Sequence, residues 1–324
     1  MRTMTYTQAI IEALRDEMRR DEHVVIWGED VGDAGGAFQA TKGLIEEFGE
    51  NRVRDTPISE NIIVGLAVGA AVTGLRPVPE IMFADFLTLA MDQIANQMAK
   101  ARYMSGGQFT LPVTVRTSNG AGLRAAAQHS QSLHPWFMNL PGVKVVLPST
   151  PADVYGLLKS SIRDDNPVLF FEHKNLYDMK GEVPEGDYVI PLGKAEIKRE
   201  GTDVTVVAVQ YMVYRALEAA EKLEKEGISI EVIDLRSLVP LDRETIINSI
   251  KKTKRLIVVD ECNLTGGVQS EIAAVAFQEA FYYMDAPPKL LGVPNVPFPL
   301  SPGMEDYVIP SVDQIVQAAR EVME

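Results

Sequence analysis

The chain has 324 residues, more than the roughly 250–300 at which a single core usually stops growing, so two domains are expected. Hydrophobic residues make up 46% of the chain and charged residues 23%, a composition typical of a soluble globular protein and not of a disordered or fibrous one. The net charge of −14 at pH 7 disfavours a protein that binds nucleic acid or an anionic membrane surface.

Short apolar strands alternate with amphipathic helices along the first 180 residues. The predicted strands cover residues 23–27, 78–83, 111–116, 143–147 and 168–172. The predicted helices begin at Thr7 and Ser59 and cover residues 41–48, 87–103 and 151–162. This alternation is typical of a doubly wound α/β domain with mostly parallel strands.

A polar stretch with glycine and proline at residues 180–187 interrupts the pattern, which then restarts. Further strands are predicted at residues 204–209, 228–233, 256–259 and 289–293, and helices at 211–226, 243–252, 268–283 and 312–322. We therefore predict a first domain over residues 1–180, a linker over 181–200 and a smaller α/β domain over 201–324.

Neither a targeting segment nor a membrane span is recognisable. The first residues lead directly into a polar helix pattern, and the longest apolar run, residues 62–72, is shorter than the ~20 residues of a membrane span. Cys262 is the only cysteine, which excludes an internal disulfide and a structural metal site made of cysteines. We expect a cytoplasmic protein.

One carboxylate stands at the start of an almost wholly apolar helix. Residues 55–60 read DTPISE, in which Pro57 suits a helix entry and Ser59 a helix N-cap. Glu60 then lies in the first turn, where the helix dipole tolerates its charge, and the apolar residues after it are expected to carry it into an interior or an interface. Burial would favour its neutral form and make it a candidate proton donor, although an acid that only starts the helix fits the same pattern.

Other candidate side chains follow predicted strands. Because ligands bind at the carboxyl ends of parallel strands, the loops that carry Glu29, Glu60, Phe86 and His129 are expected at that edge. His129 and His134 are five residues apart, which is the wrong spacing for a zinc-binding helix, and His129 equally suits a structural role. Phe86 could pack in a core or stack on a flat ring.

Motifs that bind phosphate or activate a serine nucleophile are missing. The chain has no G-x-G-x-x-G after a strand, no Walker loop and no G-x-S-x-G elbow. Residues 28–31 read GEDV and place acids where a phosphate site needs bare backbone amides.

Five segments in order resemble a known family. They are GEDV (28–31), DTPISE (55–60), EIMFADF (80–86), QHSQS (128–132) and DLR (234–236). Together they resemble the β subunit of thiamine-diphosphate-dependent 2-oxo acid and acetoin dehydrogenases, and the resemblance runs from the first helix to Ser311. It implies a pyrimidine-binding α/β domain followed by a transketolase C-terminal-like domain.

The resemblance also implies partners. Members of the family assemble as α2β2 heterotetramers, and the α subunit holds magnesium and the diphosphate through a Gly-Asp-Gly…Asn motif that this chain lacks. The chain would then supply half of an active site, and the complex would pass an acyl group to the lipoamide of an acyltransferase core.

The resemblance assigns roles to individual residues. Glu60 matches the glutamate that shares a proton with the cofactor's aminopyrimidine ring, and Phe86 matches the aromatic residue that stacks on that ring. Met82 and the backbone of Ile58 match positions that line the ring. His129 matches a histidine used in proton transfer and in passing the acyl group to lipoamide.

Two further assignments rest on the same resemblance. Glu29 would belong to an acidic network around the ring. Some relatives bind a structural potassium ion, largely through backbone carbonyls, at positions that match Val113, Ser161, Ile162, Asp164 and Asn166. Such oxygen donors suit a hard cation, but the loop can also close without one.

Three segments bear on the substrate. Residues 120–129, 175–179 and 296–302 resemble acetoin dehydrogenase β subunits more than pyruvate or branched-chain ones, so acetoin is the first expectation and a 2-oxo acid the alternative. A non-catalytic subunit that only docks onto the acyltransferase core is a second hypothesis. A self-contained thiamine enzyme is a third, disfavoured by the missing metal-diphosphate motif.

Overall fold

The computed structural model describes all residues from Met1 to Glu324. Contacts within the chain divide it into two compact units. The first unit comprises Met1–Asn119 and Trp136–Leu192, and the second comprises Gly120–Pro135 and Gly193–Glu324. No helix combines the length and the apolar character that crossing a membrane requires.

The first unit contains most of the parallel strands. The strands up to residue 192 are β1 (Arg2–Thr5), β2 (Val24–Gly28), β3 (Val53–Asp55), β4 (Arg76–Phe83), β5 (Thr114–Asn119), β6 (Lys144–Val146), β7 (Val168–His173) and β8 (Lys180–Val183). The helices over the same range are α1 (Tyr6–Arg20), α2 (Leu44–Phe48), α3 (Glu60–Val72), α4 (Ala101–Met104), α5 (His134–Met138) and α6 (Pro151–Arg163).

Six of these strands are parallel neighbours in the order β6-β7-β5-β4-β2-β3, and β1 pairs with β8 antiparallel. β2 and β7 are buried along their whole length, as expected for strands covered on both faces. Helices α1 and α6 each begin with a capping box, formed by Thr5 with Gln8 and by Thr150 with Asp153.

The second unit is built on a smaller sheet. The strands of this unit are β9 (Glu196–Arg199), β10 (Val204–Ala208), β11 (Ile230–Asp234), β12 (Ser237–Val239), β13 (Leu256–Asn263) and β14 (Lys289–Val293). Its helices are α7 (Tyr211–Glu224), α8 (Arg243–Thr253), α9 (Val268–Ala280), α10 (Pro302–Val308) and α11 (Val312–Met323). Five strands lie in the order β14-β13-β10-β11-β9, and all pairs are parallel except β9 with β11.

The predicted α/β class is confirmed, but several elements differ from their predicted form. The single helix predicted over residues 87–103 is instead a 3-10 segment (Ala84–Ala90), a π-helix (Gln93–Met98) and the short α4. The helix predicted over 268–283 ends as α9 at Ala280 and continues as a 3-10 turn. β8 and β9 fall within the predicted linker, because their polar residues pair at sheet edges and carry no apolar signal.

Candidate cofactor site

A single row of paired residues crosses four neighbouring strands near their carboxyl ends. Asp55 of β3 pairs with Gly28 of β2, Gly28 with Glu80 of β4, and Glu80 with Arg116 of β5. Each predicted ring-binding residue follows this row by only a few positions, since Glu29 comes after Gly28, Glu60 after Asp55, and Phe86 after Glu80. The topology therefore gathers them at one edge of the sheet.

Glu60 is the first residue of α3 and is buried, with 7% of its surface exposed. Ser59 occupies the N-cap position, but its side chain makes no capping hydrogen bond. The helix is held against β2 by Trp27, whose indole Nε1 donates to the Ile63 carbonyl at 3.0 Å. Glu60 is thus a carboxyl group at a helix N-terminus on an element fixed to the sheet, where the dipole favours its charge.

Glu29 lies close enough to Glu60 for the two charges to interact. Partial burial first, and then the negative charges of Glu60 and Asp30, raise the pKa of the Glu29 carboxyl above its ordinary value of 4.5. Two carboxylates in one place compete for ionisation, so one of them gains affinity for a proton. The pair provides an environment in which a ring nitrogen and a carboxyl group could share a proton.

The loop that carries Glu29 is fixed by backbone hydrogen bonds. Gly32 N donates to Asp55 Oδ1 at 2.6 Å, and Thr56 N donates to the Gly28 carbonyl at 2.9 Å. Gly36 has a φ of +81°, and a Cβ atom there would lie 3.2 Å from Glu80 Oε1. Glycine is therefore required where the loop passes over the buried Glu80.

Met82 and Phe86 follow the same row on β4. The pairing of β4 with β5 shifts register between Ile81 and Phe83, which makes Met82 the extra residue of a bulge. Such bulges re-aim side chains at sheet edges. Phe86 is half-buried and meets the Phe83 ring edge to face at 5.7 Å, so its orientation is set by an aromatic neighbour.

Ile58 is the least enclosed of the predicted residues, with 83% of its surface exposed. Its predicted role uses the backbone and does not require the side chain to be enclosed.

Sequence reasoning missed a buried charge network beneath this edge. Arg116 Nη1 donates to Glu80 Oε2 at 2.8 Å, and Arg116 Nε donates to Glu172 Oε1 at 2.7 Å. Tyr177 donates its hydroxyl hydrogen to Glu172 Oε2 at 2.9 Å. Arg116 is 1% exposed, and its two acidic partners are buried as well. The available signal was one charged residue near the end of each of three apolar strands.

The network holds one cation between two anions. Burial alone lowers the pKa of the Arg116 guanidinium, but the charges of Glu172 and Glu80 outweigh burial and raise it. Burial raises the pKa of the Glu80 carboxyl, which Arg116 lowers and Glu172 raises again, and the net direction is upward. Burial and the charge of Glu172 also raise the pKa of Tyr177 well above its ordinary value of 10.0, so the phenol stays a donor.

An aromatic chain connects this network to the candidate ring site. The Phe38 ring stacks on Tyr177 with centroids 4.6 Å apart and meets Phe83 edge to face at 5.8 Å. Phe83 in turn contacts Phe86. The orientation of Phe86 thus depends on packing that reaches back to the buried Arg116 network.

His129 belongs to the second unit by its contacts and is half-buried. His134, the other histidine of that stretch, is wholly buried and its Nε2 lies 2.7 Å from Asp260 Oδ2. A ring nitrogen of His134, a carboxylate oxygen of Asp260 and the Cys262 sulfur all lie within 4.8 Å of one another. Asp260 and Cys262 are more than 120 residues from His134 in sequence, so spacing along the chain does not reveal this group.

The predicted potassium residues gather at the opposite, amino-terminal ends of β5 and β7. The carbonyl oxygens of Ile162 and Asp164 each accept from the Arg76 guanidinium at 2.9 Å. Val113 O accepts from the Val168 amide at 2.8 Å, and Asn166 N donates to Asp164 Oδ1 at 2.9 Å. The donors are hard oxygens, as potassium prefers, but a cation there would share two of them with a guanidinium.

Two family descriptions match the chain: the transketolase pyrimidine-binding domain over residues 2–180 and the transketolase C-terminal domain over residues 193–315. A curated relative from Bacillus subtilis (strain 168), named acetoin:2,6-dichlorophenolindophenol oxidoreductase subunit beta, is 50% identical over 99% of this chain and 98% of its own.

The chain belongs to the β subunits of the thiamine-diphosphate-dependent dehydrogenases. Two more family members from the same organism are the 2-oxoisovalerate dehydrogenase subunit beta and the pyruvate dehydrogenase E1 component subunit beta. They are 48% and 47% identical, and each match covers 100% of both chains.

A solved structure confirms the fold of this family member. It is described as a split gene transketolase, inactive beta4 tetramer, and it superposes with a TM-score of 0.82 over 99% of this chain and 98% of its own, at 24% identity. The three relatives named above carry three different substrates in their names at nearly equal identity, so the family is shown and the substrate is not.

Replacing Arg116 should destabilise the first unit severely. In Arg116→Met, Glu80 and Glu172 would be left as buried carboxylates without a cation, which typically costs about 3–5 kcal/mol. Urea unfolding followed by circular dichroism measures the loss. The exposed Arg54→Met is the control and should change the free energy of unfolding by less than about 0.5 kcal/mol.

A compensated variant separates charge from packing. In Glu80→Met/Arg116→Met/Glu172→Gln no buried charge remains and Tyr177 keeps an acceptor, so at least half of the lost stability should return. If the triple variant were as unstable as Arg116→Met alone, unpaired charge would not explain the effect.

Glu29→Gln should alter the pH dependence of stability. Because the folded-state pKa of Glu29 is raised, the folded state binds its proton more tightly than the unfolded state does. Its ionisation therefore removes stability as pH rises from about 4.5 through the raised value. At pH 7.5 the variant should be more stable than the wild type by less than about 1 kcal/mol, since screening limits a half-exposed group.

This difference should largely disappear at pH 4, below the ordinary pKa of 4.5, where residue 29 is mostly uncharged in both proteins. Urea unfolding at the two pH values measures it, with the exposed Glu46→Gln as the matched control. A constant difference between the variant and the wild type at both pH values would contradict the proposed origin of the shift.

Proposed function

We propose that the chain is the β subunit of an acetoin dehydrogenase, and that it supplies the ring-binding half of a thiamine diphosphate site completed by an α subunit. The observation that carries the proposal is the buried Glu60 at the start of α3, beside Glu29 and at the strand edge that leads to Phe86. Bound thiamine diphosphate would supply the electron sink needed to break a carbon–carbon bond next to a carbonyl.

Glu60 would act as the proton partner of the cofactor's aminopyrimidine ring. A buried carboxyl group at a helix N-terminus, beside a second acid, can exchange a proton with a ring nitrogen placed against it. The side chains of Phe86 and Met82 and the backbone of Ile58 would orient the ring. Glu29 would place a second acid beside Glu60 and so favour a proton held between Glu60 and the ring.

His129 would handle protons in the second half of the reaction, when the acyl group passes to lipoamide. An imidazole suits this because it can gain or lose a proton near neutral pH. The acyltransferase core that carries the lipoyl group is the proposed second partner.

Magnesium and the diphosphate would be held by the α subunit, because this chain has no phosphate loop. Potassium at Val113, Ser161, Ile162, Asp164 and Asn166 remains a proposal supported by the oxygen donor set alone. A 2-oxo acid substrate is the alternative, and the 48% identity to a 2-oxoisovalerate dehydrogenase subunit favours testing it.

Glu60→Gln tests the central role. The amide keeps the shape of the side chain but cannot exchange a proton, so turnover by the reconstituted α2β2 protein should fall by about 10²-fold or more. Gel filtration should show normal assembly. Glu46→Gln, at an exposed first-turn acid of α2, is the matched control and should keep full activity.

Normal turnover in Glu60→Gln would defeat the proposed role. If Glu60→Gln and His129→Gln were both fully active and still bound the acyltransferase core, the chain would be a docking subunit instead.

The substrate is tested with the reconstituted heterotetramer and three compounds: acetoin, pyruvate and 2-oxoisovalerate. We expect kcat/KM for acetoin to exceed the others by about 10-fold or more, since pocket shape discriminates on that scale. The isolated chain is the blank and should neither retain thiamine diphosphate nor turn over substrate. Faster turnover of a 2-oxo acid would replace acetoin by that substrate without changing the family role.

A further inference from the structure

The stretch from Gly120 to Pro135, here called the arm, leaves the first unit after β5 and returns to it within α5. It contains His129. Between these points its contacts are with the second unit, and Ala121 is fully buried in the apolar core of that unit. The histidine therefore sits on a segment whose path is determined by the second unit.

Two buried acids hold the amino-terminal part of the arm. The amide of Ala121 donates to Glu261 Oε1 at 2.5 Å, and the amide of Gly122 donates to Glu305 Oε1 at 2.8 Å. Arg124 Nη1 donates to Glu305 Oε2 at 2.6 Å and to Asp306 Oδ1 at 2.9 Å. Glu305 is completely buried, whereas Arg124 and Asp306 are partly exposed, so the bond from the Gly122 amide to Glu305 is the better shielded of these contacts.

A third acid holds the carboxyl-terminal end. His134 Nε2 lies 2.7 Å from Asp260 Oδ2, and both residues are buried. Burial alone raises the pKa of the Asp260 carboxyl, but His134, Cys262 and the Glu261 amide outweigh it and lower the pKa below the ordinary value of 3.8. Asp260 and Glu261 are consecutive residues of β13, so one strand binds both ends of the arm.

The backbone between these attachments is strained. Positive φ angles occur at every second position from 120 to 126: +81° at Gly120, +108° at Gly122, +56° at Arg124 and +60° at Ala126. A residue other than glycine in this region costs about 1 kcal/mol or more and persists only where surrounding contacts enforce it. The acids thus hold the arm as far as Arg124, five residues before His129, and again at His134, five residues after it.

We propose that Asp260, Glu261 and Glu305 are positioning residues that fix the arm and thereby set the place of His129 for acyl transfer to lipoamide. This inference rests on the proposed function, because it assumes that His129 serves that step. The acids do not touch the reacting groups themselves. They act through the backbone and through Arg124 and His134.

The test uses the reconstituted α2β2 protein and two rates. One is reduction of the dye 2,6-dichlorophenolindophenol, which needs no lipoamide, and the other is acylation of the free lipoyl domain. In Asp260→Asn and in Arg124→Met the acylation rate should fall about 10-fold while the dye rate stays within about twofold. Arg124→Lys keeps the charge and should recover part of the loss.

His129→Gln is the reference and should show the same split between the two rates. The double variant His129→Gln/Asp260→Asn should lose little more than His129→Gln alone, because both changes act through one group. Asp285→Asn, at a half-exposed acid of the same unit, is the control and should leave both rates unchanged.

The outcomes separate the two ideas. Equal falls of both rates in the arm variants, in step with a lower Tm, would mean a merely structural role and would overturn the inference. A split in His129→Gln without one in Asp260→Asn or Arg124→Met would also overturn it and leave the proposed function intact. Normal acylation in His129→Gln would refute the role of His129 itself. If Asp260→Asn does not fold, the partly exposed Arg124 decides alone.

Discussion

The buried Arg116 guanidinium between Glu80 and Glu172 is the interaction on which the arrangement of the first unit depends. Ions inside a parallel sheet are tolerated only when they are paired and fully hydrogen-bonded, and here one cation serves two carboxylates. Three adjacent strands are therefore tied in a fixed register close to their carboxyl ends. Burial first, and then the charge of Glu172, raise the pKa of Glu80, while burial and the charges of Glu60 and Asp30 raise the pKa of Glu29 at the same edge. An edge built in this way suits a ring that carries or shares a proton.

Helix α3 starts at that edge and leaves one apolar side exposed on the surface of the chain. One side buries Ile63, Val64 and Ala67 against the rest of the first unit, while Ile62 and Leu66 on the other side are 66% and 50% exposed. Exposed branched side chains in a row are typical of an interface. The same helix begins with Glu60, so a partner that covered α3 would also enclose the acid and remove water from it. Binding of the partner and burial of the Glu60 side chain would then happen together.

The sequence predicts the regular part of the fold well and the irregular part poorly. Strands β2, β4 and β7 and helices α6 and α11 have apolar runs, apolar periodicity or clear caps, and α3 is a long apolar run after a proline. The predicted bounds of these elements fall within a few residues of those observed. The segment after β4 failed because its apolar spacing is helical while its hydrogen bonds are of 3-10 and π type, and spacing does not distinguish them. Glu60 and Phe86 could be named from motifs, whereas Arg116 and Glu172 could not, since their partnership exists only once three strands lie side by side.

The arm shows why domain limits drawn along the sequence can mislead about a site. Residues 120–135 lie between β5 and α6 in order, so pattern reasoning groups them with the first domain. Their amides and side chains find acceptors on β13 and α10 instead, about 140 to 180 residues away. Buried acids can hold strained backbone in place only if they are themselves rigid, and a core strand and a packed helix provide that rigidity. The second unit therefore determines, through acids distant in sequence, the path of the arm that carries His129.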